Sequence, residues 1–250
     1  MSPSRPWYEE FFDGLYGKVL ADDSYEMRAA EEAGLVRRLL ALRKGQRVLD
    51  IPCGMGRLTI RLAAWGAVMT GVDLTASYVR RARRRARRAG LEIRFLQADM
   101  REIAFEAEFD AAFNWFSSFG YFSDRDNLAC ARRILRALKP GGRFLIEGIN
   151  RSWLMAHLRA HSDTTVAGVR VVQRHRWHPK TGRMDCDWMF SKGRKTERHR
   201  SSMRVYNGAE IRKVLRAAGF GDIQLCGRPP LGRLTRHSRR LLAVARRPRK

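Results

Sequence analysis

The segment at residues 48–57 constrains the fold of this chain more than any other. An apolar run at 47–51 has the character of a buried strand, and it carries Asp50 at its end. A turn containing Gly54 and Gly56 follows, and an amphipathic helix begins after it. A strand, a glycine turn and a helix in this order form a nucleotide pocket at the carboxyl edge of a parallel sheet, where glycine lets a ligand approach the backbone. The sequence therefore predicts an α/β fold, with Asp50 placed to accept hydrogen bonds from a cationic head group.

Two further apolar runs end in acids. The run at 67–72 is followed by Asp73, which is suited by its position to bind both hydroxyls of a ribose. The run at 95–98 is followed by Asp99 and Met100, which suit an adenine amine and an adenine ring face. The carboxyl ends of parallel strands share one edge of a sheet, so we expect these acids to face a common ligand.

The spacing of the three acids resembles a known pocket. Asp50 precedes Asp73 by 23 residues and Asp99 by 49 residues, as in the S-adenosylmethionine (SAM) pocket of class I methyltransferases. Residues 109–114 and 138–147 match the fourth and fifth strands, so the resemblance covers about 40–150 and resumes at 206–247. It implies SAM as cofactor, S-adenosylhomocysteine (SAH) as product, and no metal. The residues to which it assigns cofactor binding are Tyr8, Tyr16, Asp50, Pro52, Gly54, Gly56, Arg57, Asp73, Leu74, Asp99, Met100 and Asn114.

The resemblance also implies an architecture. We expect an α/β protein with a seven-stranded, mostly parallel Rossmann-like sheet formed by residues 1–150 and 206–250. Strand-like runs at 169–177, 183–190 and 195–205, separated by turn signals, predict an antiparallel β-meander. Together with a short helix at 151–161, this meander would form an inserted cap at 151–205 over the substrate entrance.

The N-terminal segment carries aromatic residues with about helical spacing, at positions 7, 8, 11, 12 and 16. One interpretation is that they pack on the Rossmann core. The other is that residues 1–28 form a lid over SAM, in which Tyr8 or Tyr16 offers its hydroxyl to the cofactor carboxylate. The resemblance favours the lid.

The loop after the fourth strand is rich in aromatic residues. Enzymes that methylate base amines carry an Asp/Asn-Pro-Pro-Tyr/Phe signature here, whereas Asn114 is followed by Trp-Phe-Ser-Ser. This departure speaks against base amines and favours a hydrophobic organic acceptor, although some of the rings could instead belong to the core. The residues predicted to bind the substrate are Trp115, Phe116, Phe119, Tyr121 and Tyr206.

Methyl transfer from a sulfonium needs positioning and desolvation, with a base only where the nucleophile requires one. His157 and His161 on the predicted cap helix, and Glu147 at the end of the fifth strand, are the candidate catalytic residues. Polar packing is the alternative interpretation for each of them. The histidines and cysteines follow no metal-ligand spacing.

The charge distribution leaves a second function open. The formal net charge is +25, and the last hundred residues carry +19 of it. Such a field attracts polyanions, so an RNA or ribosome methyltransferase is the alternative. A coding bias that places arginine on solvated faces explains the same composition.

The favoured prediction is a SAM-dependent methyltransferase acting on an O, N or C nucleophile of a small, anionic or aromatic molecule in specialised metabolism. No apolar run is as long as a membrane span, and the first residues lack a hydrophobic signal core, which predicts a cytoplasmic protein without a membrane partner. Exposed strand edges in the cap predict a homodimer.

Overall fold

The computed structural model describes residues 6–228 and 232–249 of the chain. Residues 1–5 of the predicted lid lie outside the described residues. The helices are α1 (Trp7–Glu10), α2 (Gly14–Leu20), α3 (Asp23–Leu40), α4 (Arg57–Trp65), α5 (Ala76–Arg88), α6 (Asp124–Ala137), α7 (Arg151–His157) and α8 (Gly208–Ala218). The strands are β1 (Arg47–Asp50), β2 (Val68–Asp73), β3 (Arg94–Gln97), β4 (Phe109–Asn114), β5 (Leu138–Ile149), β6 (His161–Val166), β7 (Val169–His178), β8 (Arg183–Lys192), β9 (Lys195–Arg204), β10 (Gly221–Arg228), β11 (Gly232–Arg233) and β12 (Arg240–Arg246).

The larger sheet has the order β11-β10-β12-β5-β4-β1-β2-β3. Strands β1 to β5 pair in parallel, and β12 and β10 close the sheet in antiparallel orientation. The predicted α/β fold is therefore confirmed. The sheet has eight strands rather than seven because the two-residue β11 pairs with β10.

Helices cover both faces of the larger sheet, and the strands are consequently buried. One core cluster contains Phe109, Phe144 and Ile211, and the other contains Val48, Leu62 and Leu145. Helix α5 shows why the arginine-rich segment folds: its buried residues recur at helical spacing, while most of its arginines face solvent. The sheet therefore presents the carboxyl ends of β1 to β5 at one edge.

The smaller sheet is the predicted antiparallel meander, with the order β6-β7-β8-β9. It has a fourth strand where the sequence predicted a helix up to His161. Helix α7 ends at His157 with no buried residue, and β6 then pairs with β7 through a two-residue turn. Ala167 and Gly168 have φ values of 52° and 69°, the left-handed pair that favours a tight hairpin. The predicted homodimer, which rests on exposed edges such as β6, stays a prediction.

The two faces of the smaller sheet differ in polarity. Most arginines of β7 and β9 alternate with less exposed residues and lie on the solvent face, whereas Arg204 at the end of β9 is largely buried. On the opposite face Val169, Val171 and Phe190 pack against Phe11 and Leu15 of the N-terminal segment.

Helices α1 and α2 are fixed between the two sheets. The backbone N–H of Leu15 donates a 2.7 Å hydrogen bond to Glu197 Oε2 of β9. The Tyr78 hydroxyl of α5 donates to the carbonyl oxygen of Phe12. The aromatic residues of this segment thus contact the smaller sheet as well as the Rossmann-like part. None of the helices in 6–228 and 232–249 is long and apolar enough to cross a membrane.

Candidate functional site

A cavity of about 720 Å³ lies at the carboxyl ends of the parallel strands, between the larger sheet, the N-terminal helices and the smaller sheet. Most of the residues that the sequence predicts for the site meet there. The predicted residues in its lining are Tyr8, Tyr16, Asp50, Pro52, Gly54, Arg57, Asp73, Leu74, Asp99, Met100, Trp115, Phe116, Tyr121 and Glu147.

Asp50 is buried at the end of β1. Its Oδ2 accepts a 2.6 Å hydrogen bond from the Thr59 hydroxyl of α4. Burial raises the pKa of this carboxyl to about 8, with a further contribution from the neighbouring Asp73. A cationic ligand group beside Asp50 would restore the charge that burial disfavours.

Asp73 fixes the glycine turn to the end of β2. One carboxylate oxygen accepts from the N–H of Gly54 at 2.8 Å, and the other accepts from the N–H of Thr75 at 2.8 Å. Burial raises the pKa of Asp73. Each oxygen has a second lone pair, so a bidentate interaction with two hydroxyl groups of a ligand is compatible with these contacts.

Asp99 forms an ion pair with Arg101. The Asp99 carboxylate accepts hydrogen bonds from Arg101 Nη2 at 2.6 Å, from Arg101 Nε at 3.1 Å and from the backbone N–H of Arg101 at 2.8 Å. The guanidinium lies 4.5 Å from the centre of the Phe122 ring and 5.4 Å from that of Tyr8. Asp99 is therefore held rigidly at the edge of the cavity.

The two glycines of the turn have different roles. A Cβ on Gly54 would meet no atom within 4 Å, and Gly54 lines the cavity, so the absence of a side chain leaves room for a ligand. Gly56 does not line the cavity, contrary to its predicted cofactor role. A Cβ there would lie 3.1 Å from Ala82 and 3.2 Å from Phe95, so its small size serves helix packing.

Asn114 also lies outside the cavity lining, beneath its floor. Its side chain is fully buried, and Nδ2 donates to the carbonyl oxygen of Ile51 at 2.9 Å. Oδ1 has no hydrogen-bond partner among the described residues. A buried carbonyl oxygen without a donor is costly, and the described residues supply no donor to this one. This unpartnered oxygen and the open space at Gly54 are compatible with a bound SAM molecule.

Aromatic rings also line the cavity. Phe116 is 42% exposed, and its ring centre lies 5.6 Å from that of Tyr25. Tyr121 packs against Trp7 at 5.0 Å, and burial raises its pKa to about 12. Glu147 lies beside these rings, where its Oε2 accepts from the N–H of Phe116 at 2.7 Å.

The predicted roles of Phe119 and Tyr206 in substrate binding are not supported by their positions. Both side chains are buried in the core that packs on the larger sheet, and their ring centres lie 5.8 Å apart. Asn127 Nδ2 donates to the Tyr206 hydroxyl at 3.1 Å. The chain reverses at Gly120, which has a φ of 131°, so Phe119 turns into the core while Tyr121 reaches the cavity.

The two histidine candidates lie outside the cavity lining as well. The exposed His157 stacks on Trp153 at 4.3 Å, with Nδ1 2.8 Å from the Trp153 carbonyl oxygen. His161 is exposed at the first position of β6. The short α7 and the extra edge strand direct both side chains to solvent. They are not placed to act as bases.

Several lining residues were missed by sequence reasoning. The smaller sheet contributes Trp188, Ser201 and Met203, and β12 with the residue before it contributes Arg240 and Arg239. Trp188 Nε1 donates to the Ser201 hydroxyl at 2.8 Å. Alternation along β8 and β9 could have placed these side chains on one face. Nothing in the local sequence indicates which face turns toward the cavity.

Comparisons with known proteins agree with this geometry. A family model described as a methyltransferase domain matches residues 48–142. The 27-O-demethylrifamycin SV methyltransferase of Amycolatopsis mediterranei is 35% identical over 150 residues, which cover 56% of this chain and 54% of that protein. An S-adenosyl-L-methionine-dependent Diels-Alderase of Talaromyces variabilis is 37% identical over 117 residues, covering 45% of this chain and 39% of that protein. The matched segments span about half or less of these relatives.

Structural similarity extends further along the chain. The crystal structure of a SAM-dependent methyltransferase from Clostridium acetobutylicum superposes with a TM-score of 0.76 at 17% identity, covering 89% of this chain and 92% of that one. This similarity shows the fold. The fold is the Rossmann-like fold of class I SAM-dependent methyltransferases. Within it, the segment that matches the methyltransferase-domain model, residues 48–142, contains the three acids whose spacing predicted this similarity.

Proposed function

We propose that this protein transfers the methyl group of SAM to an O, N or C nucleophile of a small organic molecule. One observation carries the proposal. A single cavity joins three strand-end carboxylates, Asp50, Asp73 and Asp99, to a compartment with aromatic walls. The first part suits the polar nucleoside and amino acid groups of SAM. The second part suits an apolar acceptor.

The residues of the cofactor side have separate roles in the proposal. Asp73 binds the ribose hydroxyls, and Asp99 with Met100 contacts the adenine. Asp50 accepts hydrogen bonds from the amino group of the methionine moiety. Tyr16, which lines the cavity, offers its hydroxyl to the carboxylate. When bound, SAM supplies an activated methyl group on a good leaving group.

The acceptor side contributes positioning and the exclusion of water. Trp188, Trp115 and Tyr121 provide flat surfaces for an aromatic or apolar scaffold. Arg28 and Arg239 are exposed at the rim of the same cavity and form no ion pair within the described residues, so they suit an anionic group on the acceptor. Apart from the largely buried Arg204, the arginines of β7 and β9 face solvent, and none of them lines this cavity.

The similarity to a rifamycin methyltransferase supports a small-molecule acceptor and a place in specialised metabolism. The similarity to a SAM-dependent Diels-Alderase shows that related sequences occur in a protein whose name gives no methyl transfer. Both similarities cover only part of the chain. The proposed activity is therefore tested for methyl transfer and for SAM binding separately.

The test uses SAM with a labelled methyl group, incubated with the protein and an extract of the source cell, which is then divided into small-molecule, RNA, DNA and protein fractions. Label in the small-molecule fraction is the expected result. Label in RNA would overturn the proposal in favour of the RNA alternative. Binding of SAM without label in any fraction would indicate a reaction other than methyl transfer. The Asp73→Ala variant is the negative control, because it removes the ribose contact.

A further inference from the structure

Glu147 occupies the junction between the cofactor side and the acceptor side of the cavity. It lies near the end of β5 and is 5% exposed. Oε2 accepts hydrogen bonds from two consecutive backbone N–H groups, that of Phe116 at 2.7 Å and that of Ser117 at 3.3 Å, and the Ser117 N–H is shared with the backbone carbonyl oxygen of Glu147 at 3.2 Å. A carboxylate that receives two adjacent N–H groups fixes the backbone that carries them.

The backbone fixed in this way has an unfavourable conformation. Phe116 and Ser117 have φ values of 66° and 58°, in the left-handed region that costs free energy for residues with a side chain. Two such residues in succession need support from outside the loop. Ser117 gives further support, because its hydroxyl accepts from the N–H of Ile149 at 3.1 Å.

The second oxygen of Glu147 faces a cation. Oε1 lies 3.5 Å from Nε of Arg240, whose Nη2 lies 2.9 Å from Oε1 of the buried Glu32. The Arg240 guanidinium also lies 5.7 Å from the ring centre of Trp115, the residue immediately before the left-handed pair. Arg240 therefore compensates two buried carboxylates and packs on the loop that one of them holds.

These ion pairs continue to the cofactor turn. Glu32 Oε2 lies 2.6 Å from Nη2 of Arg57, the first residue of α4 after the glycine turn. Arg57 also donates from Nη1 to the carbonyl oxygen of Tyr25 at 3.0 Å, and the Tyr25 ring contacts Phe116. The turn at the cofactor and the loop at the acceptor are thus joined by side chains from four elements.

We propose that Glu147 is a positioning residue that holds the 115–118 loop over the acceptor compartment. Through Arg240 and Glu32, it also fixes the position of this loop relative to Arg57 at the cofactor turn. This replaces the role of a base that the sequence predicted for Glu147. A base needs an oxygen directed at the acceptor, whereas Oε2 is used by the loop and Oε1 faces Arg240. The link to methyl transfer rests on the proposed function; the holding of the loop does not.

The test compares Glu147→Gln with Glu147→Ala. The amide oxygen of glutamine still accepts from the two N–H groups, but it cannot take up a proton as a base. Alanine removes both abilities. The control is Glu108→Gln, which changes a carboxylate paired with Arg47 and Arg94 near the amino end of β4.

Three quantities are measured: amide hydrogen exchange of the peptide containing residues 114–122, the Kd for SAH, and label transfer from SAM to the small-molecule fraction. For Glu147→Ala we expect exchange at residue 116, whose only acceptor among the described contacts is Oε2, to accelerate at least tenfold and transfer to fall at least tenfold, with the SAH Kd within about threefold. For Glu147→Gln, which keeps the loop acceptor and loses the charge facing Arg240, we expect exchange and the SAH Kd to stay within about threefold and transfer to fall less than in Glu147→Ala.

Two results would overturn the proposal. A loss of transfer in Glu147→Gln as complete as that in Glu147→Ala, with normal exchange, would make Glu147 a base, and unchanged exchange in Glu147→Ala would mean that other contacts hold the loop. If Glu147→Ala does not fold, the exchange and transfer of Glu147→Gln decide between the two roles. If the unmodified protein transfers no label, the proposed function fails, while the exchange experiment still tests the holding of the loop.

Discussion

The residues that line the cofactor side of the cavity are close together in the sequence, whereas those that line the acceptor side are far apart. The three carboxylates of the cofactor side come from one stretch of about fifty residues, each at the end of a parallel strand. The acceptor side combines the loop after β4, the smaller sheet and the start of β12, and the N-terminal helices adjoin both sides. Its walls therefore come from both ends of the chain.

The forces that hold the two sides differ as well. Backbone hydrogen bonds connect the strand ends of the cofactor side, such as Cys53 N to Val72 O at 2.9 Å and Ile51 N to Phe113 O at 3.0 Å. The acceptor side depends mainly on side chains, such as the Glu197 carboxylate at α2. We infer that changes on the acceptor side leave SAM binding intact, whereas changes on the cofactor side abolish both binding and transfer.

The largest effect is expected from Asp73→Ala. It removes the acceptor for Gly54 and Thr75 together with the proposed ribose contact, so the SAH Kd should rise about 100-fold, or roughly 2.7 kcal/mol. Calorimetric titration measures the change. Asp163→Ala, which breaks an exposed pair with Arg170, should leave the Kd unchanged. An unaltered Kd in Asp73→Ala would refute the assignment of the cofactor side.

A pH dependence should distinguish the cofactor side further. Burial raises the pKa of Asp50 to about 8, so this carboxyl is largely protonated in the free protein at neutral pH. A cationic ligand group favours the carboxylate, so binding should release a proton and the affinity for SAM should rise up to about tenfold per pH unit toward pH 8. Titrations between pH 6 and 8 measure this, and Asp50→Asn should remove the dependence.

The raised pKa of Asp50 also makes the stability of the folded protein depend on pH. The folded state holds a proton on Asp50 more tightly than the unfolded state does. Its contribution to the free energy of unfolding is therefore fully present below the unfolded-state pKa of 3.8, is lost progressively as the pH rises, and is gone above the folded-state pKa of about 8. Thermal unfolding of the ligand-free protein between the two pKa values of Asp50, 3.8 and about 8, measures this loss of stability. Equal pH profiles for Asp50→Asn and the unmodified protein would contradict it.

A smaller and selective effect is expected on the acceptor side from Trp188→Phe. It removes the hydrogen bond to Ser201, worth about 1 kcal/mol, so label transfer should fall about fivefold while the SAH Kd stays within twofold. Trp177→Phe is the matched control, since Trp177 lies on the same sheet outside the cavity lining. A large rise in the Kd for Trp188→Phe would break the distinction between the two sides.

The smallest effect is expected from salt. If the solvent-facing arginines take no part in catalysis, raising the salt from 50 to 200 mM should change the SAH Kd and the transfer rate less than about twofold. A polyanion-binding enzyme with several phosphate contacts would lose on the order of a thousandfold in affinity for its acceptor over the same range. Filter binding to RNA at both salt concentrations provides the comparison.

Residues that follow directly from a strand, such as Asp73 and Asp99, lie where the sequence placed them, because a strand end has only one position in a parallel sheet. Predictions made from composition were less accurate. Phe119 and Tyr121 have similar surroundings in the sequence, yet the reversal at Gly120 places one in the core and the other at the cavity. His157 and His161 depended on a helix that ends earlier than predicted.

Local patterns in the sequence predict the class I fold, the edge of the sheet at which the cavity lies and the three acids at that edge. They do so because strand, turn and helix are specified by neighbouring residues. The folded structure alone reveals that Trp188 and Arg240 line the cavity, and that Glu147 accepts a hydrogen bond from the loop after β4. Such contacts join residues far apart in the chain, and their geometry depends on how whole elements pack, which no local pattern records.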